Sequence, residues 1–355
     1  MPKIRVAVLM GGWSSERAIS LLSGSQVASA LDPARYEVIP IDAALLPTGP
    51  RHCEHRPEAP IKSAHIPHMQ PVDILWDSQG RPDVAFIALH GPGGEDGTIQ
   101  AMLELLGIPY TGSGVAASVL ALNKILSKKL FIQEGIPTAP FVTFNRQKDH
   151  LAAWCDKVKA TIGTPAVVKP ACEGSSIGVS IVTSERDLEK AALRALEYGP
   201  DIFAESYIPG VEVTAAILGD SPPEVLPLVE IVPGEGFYDF EHKYTPGATR
   251  EIAPARIPDE AAEQARSVAL NAHTLLGCRG WSRVDMRFDG EKVWVLEVNT
   301  IPGLTPTSLV PMAAAAAGIS FSELVERIIR LALEHAAVSD RAKGQEKRGE
   351  VQGRK

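Results

Sequence analysis

The sequence predicts an α/β protein of three lobes, an open parallel α/β lobe followed by two α+β lobes. Three observations carry this reading. Residues 4–10, apolar but for Arg5, have the pattern of a strand buried on both faces, and they lead through Gly11-Gly12 into a helix-like segment at 15–31. A helix stop signal at Gly135-Ile136-Pro137 then divides the chain, and the second lobe runs from there to about Pro209. Finally, residues 283–299 read as two strands around a tight turn with an acidic face. A chain of 355 residues also exceeds one ordinary core.

The first lobe, residues 1–123, adds buried strands at 38–41 and 84–89. Strand, glycine turn and helix in succession imply a parallel sheet with ligands at the carboxyl ends of its strands. Residues 45–82 interrupt it. They are rich in Pro and His (His52, His55, His65, His68), lack periodicity and match no metal-ligand spacing, as expected of a variable surface insertion. Residues 116–134 are helical in pattern and end at that stop signal. The second lobe, 124–209, holds strands at 166–169 and 179–182 around a glycine loop, then a helix at 185–197. The third, 210–338, holds strands at 211–218 and 225–231, a Gly/Pro/aromatic loop at 232–248 and a helix at 259–276. The acidic hairpin and a closing helix at 320–337 complete it. Residues 339–355 are charged, nearly free of large apolar groups, and expected to form a disordered tail.

Composition narrows the function. A net charge of −8 argues against nucleic acid or a membrane surface as the main partner, while allowing a local basic pocket. Cys53, Cys155, Cys172 and Cys278 are scattered and form no C-x-x-C pair, so reduced thiols are expected rather than a zinc site or disulfides. No secretory signal is read at the start. The longest later apolar stretch, 309–319, is about half the roughly 20 residues of a membrane span. A soluble, cytoplasmic protein is the expectation.

The hairpin carries the most chemistry. In its first strand Val284, Met286 and Phe288 alternate with Arg283, Asp285 and Arg287; in its second, Trp294, Leu296 and Val298 alternate with Glu297 and Asn299. Arg283, Asp285, Glu297 and Asn299 therefore gather on one face. Any one of them alone is best explained as a solvated sheet residue. Together they are the set that Mg²⁺ and phosphate need: hard oxygens for the ion and a fixed cation for developing charge. A turn-rich segment with Gly303 and Ser308 follows, where backbone N–H groups can approach a ligand.

Two serines bracketed by glycines (Gly174, Ser175, Ser176, Gly178) follow Lys169 at a strand end, a loop able to wrap phosphate oxygens. With Lys124 it offers two cations to one polyphosphate. It is not a Walker P-loop, and Gly11-Gly12 lacks the G-x-G-x-x-G of a dinucleotide fold. Glu16, after those glycines, can cap the following helix or hold a substrate ammonium. His90 lies in a second glycine loop at a strand end, a position that favours a ligand-facing role.

Five motifs occur in order: GGWSSERAISLLSG, LHGPGGEDGTIQ, KPACEGSSIGV, EGFYDFEHKY and RVDMRF…LEVNTIPGLTPTSLVP. On them, the chain resembles the D-alanine–D-alanine ligases of the ATP-grasp superfamily, from about residue 5 to residue 332. The resemblance implies the three-lobed ATP-grasp fold, with ATP held between the antiparallel sheets of the second and third lobes. It implies that Lys124, Lys169 and Lys243 touch phosphates and that Glu205, Ser206, Tyr207 and Ile208 line the adenine edge. Glu212 would meet the ribose and Phe237 cover the ring, with Ser176 and Leu296 also in the nucleotide site. Asp285, Glu297 and Asn299 would hold two Mg²⁺ or Mn²⁺ ions. Glu16, Ser175 and Tyr244 would form a network near the first D-alanine, with His90 nearby. Arg283 and the N–H of Gly303 would stabilise an oxyanion, and Ser308 and Leu309 would meet the carboxylate of the second D-alanine. A cytoplasmic homodimer is implied too. Three positions depart from the family pattern: Asn123 where Asp is commoner, Ala171-Cys172 where Ser-Arg is often seen, and Ile301 where a small residue precedes Pro-Gly.

Rival readings are a ligase taking D-lactate or D-serine as acceptor, a nucleotide-binding regulator with an inactive grasp fold, and a nicotinamide oxidoreductase. Tyr244 speaks against the lactate form, the complete Asp285/Glu297/Asn299 set against the regulator, and the missing fingerprint against the oxidoreductase.

Overall fold

The apolar run at the start becomes the centre strand of a parallel sheet. The computed structural model describes residues 2–45, 80–233 and 249–352. Strand β1 (Ile4–Met10) leads through Gly11 and Gly12, both at positive φ, into α1 (Arg17–Ala30). Strands β2 (Tyr36–Asp42) and β3 (Val84–Ile87) flank β1 in parallel, in the order β2-β1-β3. Helix α1 packs close on the sheet at Gly24, where a β-carbon would come within 2.5 Å of Met10 Cβ. Helix α2 (Thr98–Leu105) follows the loop of His90. Of the expected insertion, 46–79 lies outside the described residues.

The helix expected over 116–134 is two helices, α3 (Val115–Leu122) and α4 (Lys124–Gln133). Asn123 between them is extended, and its side chain accepts a hydrogen bond from Leu126 N at 3.1 Å. An N-cap amide thus restarts the helix and makes Lys124 its first residue. The unbroken apolar periodicity hides this break.

The central lobe is an antiparallel sheet of β4 (Phe141–Asn145), β5 (Ala166–Pro170), β6 (Ser180–Val182) and β7 (Asp201–Ser206), in the order β4-β7-β5-β6. Helices α5 (Leu151–Thr161) and α6 (Leu188–Ala195) cover one face through Trp154, Val158, Leu188 and Ala192.

The last lobe is a second antiparallel sheet, built from β8 (Val211–Leu218), β9 (Glu224–Val225), β10 (Val229–Pro233) and β11 (Thr249–Ile252), closed by β12 (Trp281–Phe288) and β13 (Val293–Asn299). Its order is β11-β10-β8-β12-β13, with β9 beside β8. The strand expected over 225–231 is divided between β9 and β10 around Pro227, which has no N–H to give a ladder. Helix α7 (Asp259–Leu275) backs the sheet through Ala265, Ala269 and Ala272, small residues on one helical face. Ala121 of α3 and Phe131 of α4 share this core.

The chain then returns to its first lobe. Helices α8 (Leu309–Ala316) and α9 (Phe321–Gln352) place Ala313, Leu324, Val325 and Ile328 in one core with Val8, Ile87 and Leu103. Arg35 pairs with Glu326 at 2.6 Å across that junction. The last stretch of the expected third lobe therefore packs with the first. The expected disordered tail also differs: backbone helix continues to Gln352. Residues 339–352 lack proline and are rich in Arg, Lys, Glu and Gln, all good helix formers. Among the described residues no single helix is long and apolar enough to cross a membrane.

Candidate functional site

The two antiparallel sheets face each other across a cleft of about 330 Å³. One wall comes from the central lobe: Lys169, Ser176, Glu205, Ser206, Tyr207 and Ile208. The other comes from the last sheet: Glu212, Arg283, Asp285, Leu296 and Glu297, with Lys124 and Leu309 at its edges. Every expected nucleotide-site residue among the described ones lines this cleft. Phe237, Lys243 and Tyr244 lie outside the described residues.

The hairpin departs from simple alternation. Asp285 pairs with Glu297 but Met286 with Val295, so Leu296 is the extra residue of a β-bulge. Val293, Val295 and Val298 face the core, and Leu296 turns with Glu297 into the cleft, opposite to the face that simple alternation gives it and in the place that the resemblance implies. Asp289 closes the hairpin by accepting from the N–H groups of Glu291 and Lys292 and from Trp294 Nε1.

The acidic face is charge-compensated. Arg283 grips Asp285 bidentately, Nε to Oδ1 and Nη2 to Oδ2, both 2.8 Å. Thr214 donates to the same carboxylate at 2.7 Å and Asn299 Nδ2 at 3.0 Å. Glu297 pairs with Lys124 Nζ at 2.9 Å, and Lys124 also donates to Glu173 O at 2.7 Å. Burial is the largest influence on Lys124 and pushes its pKa down, but Glu297 and Glu95 outweigh it and hold the ammonium above its ordinary value. Among the described residues no three Asp, Glu, His or Cys side chains converge on one point. Two carboxylates and an amide on neighbouring ladder positions are nevertheless hard-oxygen donors of the kind Mg²⁺ uses when phosphate oxygens complete its shell.

Beside this cleft a second group joins the first lobe to the glycine loop. Glu16 makes no side-chain cap to α1; its carboxylate instead accepts from Ser175 Oγ. Ser175 and Ser176 hold φ of 50° and 58°, a left-handed conformation that costs a side-chain-bearing residue about 1–3 kcal/mol. Buried Glu95 accepts from Gly91 N at 2.8 Å. Its pKa is pushed up to about 8, first by burial and then by Glu16. Glu173 is pushed up to about 7 for the same two reasons.

His90 does not present itself to the cleft. It is buried, with Nδ1 3.0 Å from Ile301 O and Nε2 3.2 Å from Ser23 Oγ. Both ring nitrogens tie it to neighbouring structure, one to the segment of Gly303 and the other to α1. A β-carbon placed on Gly303 would lie 3.1 Å from Ser308 Oγ, and Ser308 in turn meets Thr305 N at 3.0 Å. The structure thus brings Gly303 and Ser308 together, next to Leu309 on the cleft edge.

Sequence reasoning missed Arg287, Glu173 and Arg194, which line the cleft, and Glu95, Lys128 and Thr214, which support it. Arg287 shares strand parity with Arg283 and Asp285, and Lys128 lies one helical turn from Lys124; both signals were available. Thr214, on a different strand, gave none.

Comparison with known proteins agrees with this geometry. Residues 5–113 match the family model described as the D-ala D-ala ligase N-terminus, and residues 130–330 match that of the C-terminus. A D-alanine–D-alanine ligase of Syntrophobacter fumaroxidans is 47% identical over 334 residues, covering 94% of this chain and 98% of its own. The crystal structure of the D-alanine–D-alanine ligase from Bacillus anthracis superposes with a TM-score of 0.77 at 34% identity, covering 95% of this chain and 99% of that one. The VanG D-Ala:D-Ser ligase of Enterococcus faecalis does so at 0.76 and 31%, covering 93% and 100%. With its fold, its cleft and both halves of its sequence accounted for in this way, the chain belongs to the D-alanine–D-alanine ligase family of ATP-grasp enzymes.

Proposed function

We propose that the protein is an ATP-dependent ligase that joins two D-alanines into D-alanyl-D-alanine through an acyl phosphate, for peptidoglycan precursor synthesis. The observation that carries this is the meeting, in one cleft, of Lys124 and Lys169 with the Arg283/Asp285/Glu297 face. Lys124 and Lys169 bind the phosphates, assisted by Lys243. Glu205, Ser206, Tyr207, Ile208 and Leu296 hold the base and Glu212 the ribose. Asp285, Glu297 and Asn299 would hold Mg²⁺ or Mn²⁺, two ions by the resemblance, which neutralise phosphate charge when bound. The roles of Phe237, Lys243 and Tyr244 rest on the resemblance alone.

A carboxylate oxygen of the first D-alanine attacks the γ-phosphorus and ADP leaves. The protein's contribution to such a transfer is positioning and charge stabilisation. The amine of the second D-alanine, having lost a proton, attacks the acyl carbon. Arg283 and the N–H of Gly303 stabilise the tetrahedral oxyanion; on its collapse the acyl C–O bond breaks and phosphate leaves with that oxygen and its electron pair. Glu16 and Ser175 orient the first D-alanine, and Ser308 and Leu309 receive the carboxylate of the second. A cytoplasmic homodimer completes the proposal; sedimentation of the purified protein tests the dimer.

The test is phosphate release with ATP and Mg²⁺. D-Alanine should support it and L-alanine should not. With D-serine or D-lactate added, D-alanyl-D-alanine should remain the main product by mass. Phosphate release without any dipeptide would overturn the assignment, and a dominant mixed product would change the acceptor.

A further inference from the structure

Lys128 carries an ammonium that the reaction above does not use. Its side chain is 0% exposed, and Nζ lies 2.7 Å from Glu205 Oε2. It also donates to Thr138 Oγ1 at 2.6 Å, and Thr138 spends its own hydroxyl hydrogen on Val295 O at 2.9 Å. Thr138 is thereby fixed as an acceptor toward Lys128. The ammonium lies 5.3 Å from the ring centre of Phe141, which closes another side of it. On the far side of the same carboxylate, Lys169 Nζ is 2.5 Å from Glu205 Oε1, and this second lysine lines the cleft. One buried carboxylate is thus shared by an inward cation and a cleft-facing one.

That arrangement has a consequence for ligand exchange. If Lys169 left Glu205 for a phosphate oxygen with no other cation present, a deeply buried carboxylate would stand uncompensated, which is strongly unfavourable. Lys128 removes that obstacle. We propose that Lys128 is a positioning residue for nucleotide binding: it stays as the permanent counter-ion of Glu205, so that Lys169 is free to exchange the carboxylate for a nucleotide phosphate. Burial lowers the pKa of Lys128, and Glu205 works against that; with both lysines protonated the trio carries one net positive charge, which an incoming anion matches. Burial is the largest influence on Glu205 and pushes its pKa up, yet the two lysines together hold it below the ordinary carboxylate value. The inference rests on the proposed binding of ATP in this cleft.

The experiment is a double-mutant cycle read by calorimetric ATP–Mg²⁺ binding, with KM for D-alanine measured alongside. Lys128→Met should weaken ATP by about tenfold or more while KM for D-alanine moves less than about twofold. In a Glu205→Gln background no carboxylate holds Lys169 back, so adding Lys128→Met should change ATP affinity by less than about twofold. Equal weakening in both backgrounds, or none in either, overturns the inference. If Lys128→Met alone fails to fold, Lys128→Gln, which keeps a hydrogen-bonding group and removes the charge, takes its place in both backgrounds of the same cycle. Failure of the parent to bind ATP would instead overturn the proposed function.

Discussion

Nδ1 of His90 lies 3.0 Å from the carbonyl oxygen of Ile301, 211 residues further along the chain. The bond ties the end of β3 to the segment that carries Gly303, and Ser23 holds the other ring nitrogen. His90→Phe keeps a ring but removes both bonds. An unpaired buried carbonyl costs about 1–3 kcal/mol, so kcat should fall roughly tenfold to a hundredfold if that strain is taken up by the oxyanion segment. ATP affinity should stay unchanged. Steady-state kinetics with a separate ATP titration checks both, and a variant that loses ATP binding instead would refute the role.

Glu297→Gln should abolish turnover and leave the fold intact. The substitution removes a charge from the proposed metal-binding face and the ion-pair partner of Lys124 at once. Metal-assisted charge stabilisation is worth several kcal/mol, so the loss should exceed about a hundredfold. Near-normal activity with unchanged Mg²⁺ dependence would reject the assignment, and circular dichroism checks the fold.

Gly174→Ala tests the bond between Glu16 and Ser175. A β-carbon there would come within 2.8 Å of Glu16 Oε2, so the carboxylate must swing away from the serine. The expected outcome is a KM for D-alanine raised by roughly threefold to tenfold, the worth of one hydrogen bond, with ATP binding little altered. An ATP effect larger than the D-alanine effect would show that the glycine serves the nucleotide.

Glu95 gives a pH signature. Its pKa is about 8 in the fold against an ordinary 4.5, raised first by burial. The native state therefore keeps a proton that the unfolded chain has lost. Its contribution is fully present below about pH 4.5, drains as pH rises toward about 8, and is flat beyond, with a slope of at most about 1.4 kcal/mol per pH unit. Urea unfolding across this range should show the parent losing stability relative to Glu95→Gln. Parallel curves would mean that Glu95 is ionised in the fold.

The sequence made the hairpin and its charged face legible because Arg283, Asp285, Glu297 and Asn299 obey strand parity. It made β1 legible for the opposite reason: a strand between two parallel neighbours is apolar on both faces and does not alternate. What stayed hidden depended on partners distant in the chain. The bulge at Leu296 is defined only by its register against β12. The break at Asn123 leaves the apolar pattern continuous. The tie from His90 to Ile301 stayed hidden because nothing near His90 in sequence announces that partner. The strands β4 and β7 were missed because they are short and mixed in composition, and become strands by pairing with each other along their length.

The return of α8 and α9 to the first lobe sets a timetable for biosynthesis. The parallel sheet is translated before both antiparallel sheets, but Leu324, Val325 and Ile328, which close its core, follow after them. At cellular elongation rates that gap lasts ~10 s or more, during which the nascent sheet shows an unfinished apolar surface. The two later lobes have their own helices close at hand and can fold first. The first lobe, although translated ahead of the other two, can therefore complete its core only after both of them have been made.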